Sequence, residues 1–315
     1  MKYEGLARAY RPRAFADVVG QEVTVRTLQQ ALRTGRAAPA TLLAGSRGIG
    51  KTTLARLLAK AFVCEQGPTS TPCDACEPCQ EIPQGRCLDV MEIDGASHTG
   101  VDDVRALRDS VRYGPAKCRC KVFIIDEVHM LSQSAFNALL KTLEEPPPHV
   151  RFIFATTEAH KIPATVLSRC QRYDLQRLDV GVIADRLTFV ARQEKIDLSA
   201  EAVALIAEAA DGSLRDALSL ADQVVSFAPD SPTAQDVAAV LGIPDSQCVQ
   251  QLAAAVLSGD AATALGICSR AAASGMDGQK LLRGFAWRMR HLAVAAAAGS
   301  DEQLIPLSEQ QRQEV

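Results

Sequence analysis

The segment Gly45-Ser46-Arg47-Gly48-Ile49-Gly50-Lys51-Thr52 constrains this chain more than any other. It carries the pattern G-x-x-x-x-G-K-[ST], and it lies between a strand signal and a helix signal. Ahead of it, Ala40-Thr41-Leu42-Leu43-Ala44 is short and apolar, as a buried strand is. Behind it, Leu54, Leu57, Leu58 and Phe62 recur at helical spacing. In such a strand–loop–helix unit, glycines allow backbone N–H groups to wrap phosphates, and the helix N-terminus adds positive potential. Lys51 is expected to reach the β- and γ-phosphates of a nucleotide and the Thr52 hydroxyl to ligate Mg²⁺, with Gly45 to Thr53 lining the phosphates. The competing reading is a plain glycine-rich turn before an ordinary helix, and the order of the flanking elements weighs against it.

The remaining strand signals agree with that unit. Asp89 to Ile93, Lys121 to Ile125 and Arg151 to Ala155 are apolar runs, and helical patterns are expected near Thr24 to Leu32 and Gly100 to Val111. A further helix should start at a Ser132 cap, run through Phe136, Leu139, Leu140 and Leu143, and stop before Pro146-Pro147-Pro148. Strands alternating with helices specify an α/β fold, a parallel sheet covered on both faces. After about Leu178 the strand signals vanish and the chain reads as helical. This predicts an α/β domain over 1–178 with an insertion near 64–87, a helical domain over 179–242, and a second helical region over 243–315, with Gly242-Ile243-Pro244 as the break. An aromatic content of only 4% suits helices and buried parallel strands.

The strand Val122-Phe123-Ile124-Ile125 delivers Asp126 and Glu127 at its carboxyl end, where open α/β sheets bind ligands. Asp126 is expected to hold Mg²⁺ largely through water, and Glu127 to polarise an attacking water, which points to nucleotide hydrolysis rather than phosphotransfer. Alone, an apolar run ending in Asp-Glu is a solvated strand end. Paired with the loop some seventy residues earlier, it completes an ATP site.

Cys64-x₈-Cys73-x₂-Cys76-x₂-Cys79 is the second chemical constellation. Two overlapping C-x-x-C turns suit a tetrahedral Cys₄ zinc site with no position open for water, hence a structural one. An iron–sulfur cluster and unliganded thiols are the alternatives. Cys87, Cys118, Cys120, Cys170, Cys248 and Cys268 lack such partners and read as core or surface thiols. His98 and His129 are off the ligand spacing and read as structural. A net charge of −3 excludes a bulk basic nucleic-acid binder, so any DNA contact must be local. No run is apolar and long enough to span a membrane, and no signal-peptide core opens the chain. The expected address is cytoplasmic.

Arg169 in Leu167-Ser168-Arg169-Cys170 and Arg215 in Gly212-Ser213-Leu214-Arg215 are surface arginines by default, although an arginine from outside the loop can stabilise charge on a γ-phosphate. Their assignment comes from a resemblance. Leu6-Ala7-Arg8-Ala9-Tyr10-Arg11-Pro12, Phe15 to Glu22, Ile125 to Leu131, Asn137 to Pro147, Ala155-Thr156-Thr157-Glu158 and the cysteine quartet together resemble the gamma/tau subunits of bacterial DNA polymerase III, the clamp-loader motors among the AAA+ ATPases. The resemblance is dense over about 4–242 and looser beyond.

It implies a P-loop ATPase domain, a helical lid and a helical collar through which subunits assemble. The opening segment, including Arg11 and Val19, would pack on the adenine. Thr157 would be the first sensor, Arg215 the second, and Arg169 an arginine finger acting on ATP bound by an adjacent subunit. It implies ATP, Mg²⁺ and structural Zn²⁺ as ligands, and other clamp-loader subunits in a hetero-pentameric ring, the sliding clamp and primed DNA as partners. No polymerase active site is expected in this chain. Ser97-His98-Thr99-Gly100 is a candidate phosphate contact to DNA, with a capped turn as the equal alternative. Leu281, Leu282, Phe285, Met289 and Leu292 form an apolar stripe that fits either a collar helix or intramolecular core. Rival readings are another AAA+ DNA motor, for branch migration or helicase loading, and a non-catalytic clamp-loader scaffold.

Overall fold

The computed structural model describes residues 5–97, 110–229, 231–242, 246–273 and 275–298. Five strands, β1 (Ala40–Ala44), β2 (Val90–Asp94), β3 (Lys121–Asp126), β4 (Val150–Thr156) and β5 (Gln171–Asp174), form one sheet in the order β2-β3-β4-β1-β5. Every neighbouring pair runs parallel. The three central strands are apolar because both of their faces are covered, and the period of two assigns alternate side chains to opposite layers.

Leu43, Val122, Ile124 and Ile153 pack on one face with Leu54, Leu58 and Phe62 of α3 (Lys51–Val63) and Leu28 and Leu32 of α2 (Glu22–Arg33). The helices preceding and following these are α1 (Leu6–Ala9) and α4 (Glu77–Glu81). Leu42, Phe123, Ile125, Phe152 and Phe154 pack on the other face with Phe136, Leu139 and Leu143 of α5 (Gln133–Glu144) and Val166 of α6 (Ala164–Leu167). Phe152 is the centre of a three-ring stack, 5.5 Å from Phe123 and 5.9 Å from Phe154 between centroids.

The local signals in this sheet domain act as expected. Ser132 Oγ accepts from Ala135 N–H at 3.2 Å and caps α5, which ends at Glu144, ahead of the prolines. The strand the sequence does not announce is β5. Its residues are Gln-Arg-Tyr-Asp, and only Tyr173 is buried. An edge strand with one covered residue has no apolar run to read. The other edge, β2, is also largely exposed. The helix expected over Gly100 to Val111 and the segment Ser97 to Gly100 fall almost wholly outside the described residues.

The chain forms two compact units, one of 1–194 with 206–222, the other of 195–205 with 223–315. The helical part begins with α7 (Val180–Glu194), α8 (Ala200–Ala209) and α9 (Leu214–Phe227). In the second unit, Thr233 and Asp236 cap α10 (Ala234–Leu241) reciprocally, and Gly242 ends it in the left-handed region at φ 56°. Three further helices follow, α11 (Ser246–Leu257), α12 (Ala261–Ala273) and α13 (Gly278–Ala298). Val249, Leu252, Ile267, Ala271 and Leu281 form their common core, with Phe285 half-buried against it. Leu281 and Phe285 thus serve intramolecular packing, while Leu282 of the same expected stripe is exposed. Among the described residues no helix is long and apolar enough to cross a membrane.

Phe152→Ala removes the middle ring of a buried stack, and large-to-small changes at such positions cost roughly 3–5 kcal/mol. A destabilisation of that size is expected in urea unfolding of the sheet-bearing unit. A loss below about 1 kcal/mol would mean that the two faces of the sheet repack freely.

Candidate active site

The carboxyl ends of β3, β4 and β1 lie side by side because these strands are consecutive in the sheet. They deliver three segments to one edge: Asp126-Glu127 from β3, Thr156-Thr157 from β4, and the glycine-rich loop from β1. Gly45 N–H donates to Thr156 O at 3.1 Å, which ties the loop to β4 at its root.

Within that edge the expected residues meet. Thr52 Oγ1 donates to Asp126 Oδ2 at 2.6 Å. Lys51 Nζ donates to Gly45 O and Ser46 O, both at 2.9 Å, so its ammonium closes the loop on itself. Lys51 is buried; burial lowers its pKa, opposed by the negative charges of Glu127 and Asp126. Glu127 takes its own hold: Thr157 N–H at 3.1 Å and Thr157 Oγ1 at 2.9 Å both donate to Oε2. The two adjacent carboxylates are therefore anchored by different partners, Asp126 by the loop helix and Glu127 by the end of β4.

The loop opens into a cleft of about 780 Å³ lined by Arg47 to Thr53, Asp126, Glu127, Arg11, Val19 and Arg215. The cleft thus gathers Arg47 to Thr53 of the loop, the two residues of the opening segment and the second arginine, while Gly45, Ser46 and Thr157 stand outside its lining. Arg11 sits among like charges: burial and then the neighbouring Arg56 hold its pKa below the ordinary arginine value. Arg215 N–H lies 3.4 Å from Gly48 O, so α9 begins directly against the loop. A Cβ at Gly48 would stand 1.9 Å from Ser213 Oγ, and the φ of +75° independently disfavours any side chain there. The opening segment is fastened to the same helix by Leu6 N–H donating to Asp222 Oδ2 at 2.8 Å.

Arg169 does not enter this cleft. Its guanidinium donates to Glu144 Oε1 at 2.6 Å and to Thr165 O at 2.6 Å, partly exposed beside the C-terminal end of α5. Two residues that sequence reasoning passed over belong to the site. Arg56 lines the cleft and grips Glu92 with two hydrogen bonds of 2.7 and 2.8 Å; its position four residues beyond Thr52, on the same helix face, was the available signal. His129, set aside as structural, places Nδ1 3.4 Å from Glu127 Oε2 and 3.0 Å from Thr156 Oγ1.

The cysteine quartet forms a separate site. The Sγ atoms of Cys64, Cys73, Cys76 and Cys79 all lie within 4.8 Å of one another, and Cys64 and Cys73 are 3.6 Å apart. A tetrahedral Zn–S₄ centre with bonds of about 2.3 Å needs sulfurs about 3.8 Å apart, so the quartet has the size and donor chemistry for zinc. The N–H groups of Ala75 and Cys76 bring the Cys73 thiol down to about 6, whereas burial pushes that of Cys79 up. Lys60, buried on α3, joins the segment to its surroundings through an ion pair with Asp74 and a 2.7 Å bond to Arg13 O. Of the other thiols, Cys87 and Cys120 are core residues, and Cys118, Cys170 and Cys248 pack against cores. Cys268 is exposed.

Comparisons with known proteins meet this geometry from three sides. Family models match residues 20–179 (DNA polymerase III, delta subunit), 182–230 (DNA polymerase III clamp loader subunit, ATPase lid domain) and 233–315 (DNA polymerase III subunits gamma and tau domain III). The chain is 46% identical over 311 residues to the DNA polymerase III subunit tau of Escherichia coli K12, covering 98% of this chain and 48% of that protein. It is 43% identical to the Bacillus subtilis tau subunit over 298 residues, 95% of this chain and 53% of that protein. With the gamma subunit of Buchnera aphidicola subsp. Acyrthosiphon pisum it shares 44% over 282 residues, 90% of this chain and 78% of that protein. The chain spans about half the length of the tau subunits it matches. The Thermotoga maritima RuvB Holliday junction branch migration motor shares the fold at a TM-score of 0.57 and 22% identity, covering 78% of this chain and 79% of that one. The architecture is accordingly an AAA+ ATPase domain followed by a lid and a helical third region.

Gly48→Ala is expected to weaken binding of a fluorescent ATP analogue by about tenfold or more, which is ~1.4 kcal/mol, because the loop can admit a Cβ only by parting from Ser213. Unchanged affinity in a titration would show that this loop–helix contact is dispensable.

Proposed function

This chain belongs to the gamma/tau family of DNA polymerase III subunits, and we propose that it works as the ATP-hydrolysing motor of the clamp loader, in the cytoplasm, placing the sliding clamp on primed DNA during replication. The domains are assigned as ATPase 1–178, lid 179–242 and collar 243–315. The observation that carries the motor reading is the division of labour between the adjacent carboxylates: Asp126 is bonded to Thr52, and Glu127 is held by Thr157.

An AAA+ ATPase implies a nucleotide and Mg²⁺. Asp126 and Thr52 would hold the Mg²⁺, which neutralises phosphate charge when bound. Lys51 exchanges its two carbonyl partners for phosphate oxygens, a trade of neutral acceptors for charged ones that favours binding. Glu127, gripped through Oε2, keeps Oε1 for a water, which it orients and deprotonates for in-line attack on the γ-phosphorus. Arg11 and Val19 take the adenine side, and Arg215 contacts the phosphates from the lid. Arg169, outside its own subunit's cleft, acts on ATP held by the adjacent subunit. Its partner Glu144 is half-exposed, and surface pairs of this kind are worth at most about 1 kcal/mol, so the arginine is readily released to a neighbour. Zinc in the cysteine quartet is structural and organises a segment with few apolar residues.

A scaffold role is disfavoured by the intact Lys51, Thr52, Asp126 and Glu127. A branch-migration role is disfavoured by the cysteine quartet, and the RuvB likeness concerns fold alone.

Lys51→Ala should abolish ATP binding, and Glu127→Gln should bind ATP yet lose about 10²-fold or more in turnover. Arg169→Ala should spare nucleotide affinity of the isolated subunit and suppress hydrolysis only in the assembled loader with clamp and primed DNA. Turnover by Glu127→Gln at the wild-type rate would remove the hydrolytic assignment. For the metal, elemental analysis should give one zinc per chain, and chelation should unfold the segment around 64–87, seen as new proteolytic cleavage there. An unchanged digest after complete zinc removal would remove the structural role.

A further inference from the structure

The proposed mechanism leaves His129 without a task, although its ring is largely buried beside Glu127. It sits in the short turn after β3 (Val128–Met130), with a side chain only 6% exposed. Its contacts fall in a particular order along β4 and its exit. Nδ1 lies 3.0 Å from Thr156 Oγ1, and Nε2 lies 3.1 Å from Glu158 Oε2. The ring therefore holds the residue before Thr157 and the residue after it.

Chemistry fixes the direction of the bond to Glu158. An ionised carboxylate only accepts, so Nε2 carries the proton that goes to Glu158. Glu158 is itself held by Lys161 Nζ at 2.8 Å, which keeps its carboxyl below the usual range. Thr156 Oγ1 accepts from Glu158 N–H at 3.0 Å and lies 3.0 Å from Nδ1, so the same hydroxyl bridges the Glu158 backbone and the ring. The turn 156–158 is thereby closed on the imidazole, and Thr157 N–H and Oγ1 are aimed from that turn at Glu127 Oε2. Nδ1 itself stands 3.4 Å from the same oxygen, beyond good hydrogen-bond geometry, so the ring walls the carboxylate in rather than binding it strongly.

We propose that His129 is a positioning residue for hydrolysis: by clamping Thr156 and Glu158 it sets Thr157, and through Thr157 it sets the Glu127 carboxylate that orients the attacking water. This rests on the hydrolytic reading above. Among the described residues, the groups facing the ring are Glu127 on its own turn, Thr156 and Glu158 on the β4 exit, and, through Glu158, Lys161 and the exposed His160. Charge at Glu158 is already balanced by Lys161, so the work asked of the ring is geometric. Misplacing a catalytic group by about 1 Å costs on the order of 10²-fold in rate.

The test is steady-state ATP hydrolysis by the full chain in the assembled loader, with affinity for a fluorescent ATP analogue measured alongside. His129→Ala is expected to lower kcat about 10- to 100-fold while the nucleotide affinity and the melting temperature stay near wild type. His129→Gln, whose amide both donates and accepts, should recover much of that loss. The double variant His129→Ala/Thr157→Ala should be no slower than the worse single variant, because both act on the same carboxylate. Wild-type kcat in His129→Ala, equal losses of affinity and kcat, or fully additive losses in the double variant would each overturn the proposal. Failure of the hydrolytic reading looks different: the wild-type loader itself would not turn over, or Glu127→Gln would be as active as wild type.

Discussion

The bond from Thr52 Oγ1 to Asp126 Oδ2 joins residues 74 positions apart, and the rest of the site depends on the sheet register that makes it possible. β1 and β3 are not neighbours; β4 lies between them. With Ala44 paired to Thr156 and Ile125 paired to Phe154, all three strands end within one residue of the same level. That level is set by packing, because a register slip would turn the stacked phenylalanines of β3 and β4 to the wrong layer. The apolar core thus fixes, through strand register, the 2.6 Å distance at which a polar site operates.

How much of this was legible from the sequence follows from what each residue does for folding. The loop, the Asp-Glu pair and the cysteine quartet were readable because each carries its constraint in local spacing. The buried strands were readable because they must be apolar on both faces. β5 was not, since Gln171, Arg172 and Asp174 are exposed and its membership rests on backbone pairing with Thr41 to Ala44. Arg56 and His129 were missed for a related reason: their partners Glu92, Thr156 and Glu158 are remote in sequence, and only the sheet order brings them together. Arg169 is a different case. Among the described residues its partners are Glu144, Thr165 O and Ser168 Oγ, and its place outside the cleft is set by contacts that no local spacing announces.

The cysteine segment and the opening segment share one anchor. Lys60 is buried, yet its ammonium is satisfied by Asp74 from the first segment and Arg13 O from the second. A buried ammonium without partners is strongly disfavoured, so both segments are held to α3 by the same cation. The helix that begins at the glycine-rich loop therefore also anchors the part of the cleft that Arg11 and Val19 line.

The most telling local feature is the backbone of Glu127. In an extended strand, consecutive side chains point to opposite faces, so Asp126 and its successor should not share a cleft. They do share it, because Glu127 leaves the strand conformation for the left-handed region at φ 44° and ψ 46°, a choice that costs an ordinary residue roughly 1–2 kcal/mol. The surroundings hold it there. Gly95 N–H donates to Asp126 O at 2.7 Å, and a Cβ on Gly95 would stand 2.6 Å from Glu127 O, so the end of β2 can press against this turn only as glycine. Thr157 then secures the carboxylate that the turn has swung around. Strain of this kind persists where the structure over-determines it, and here it converts an alternating strand into a pair of acids that line one cleft.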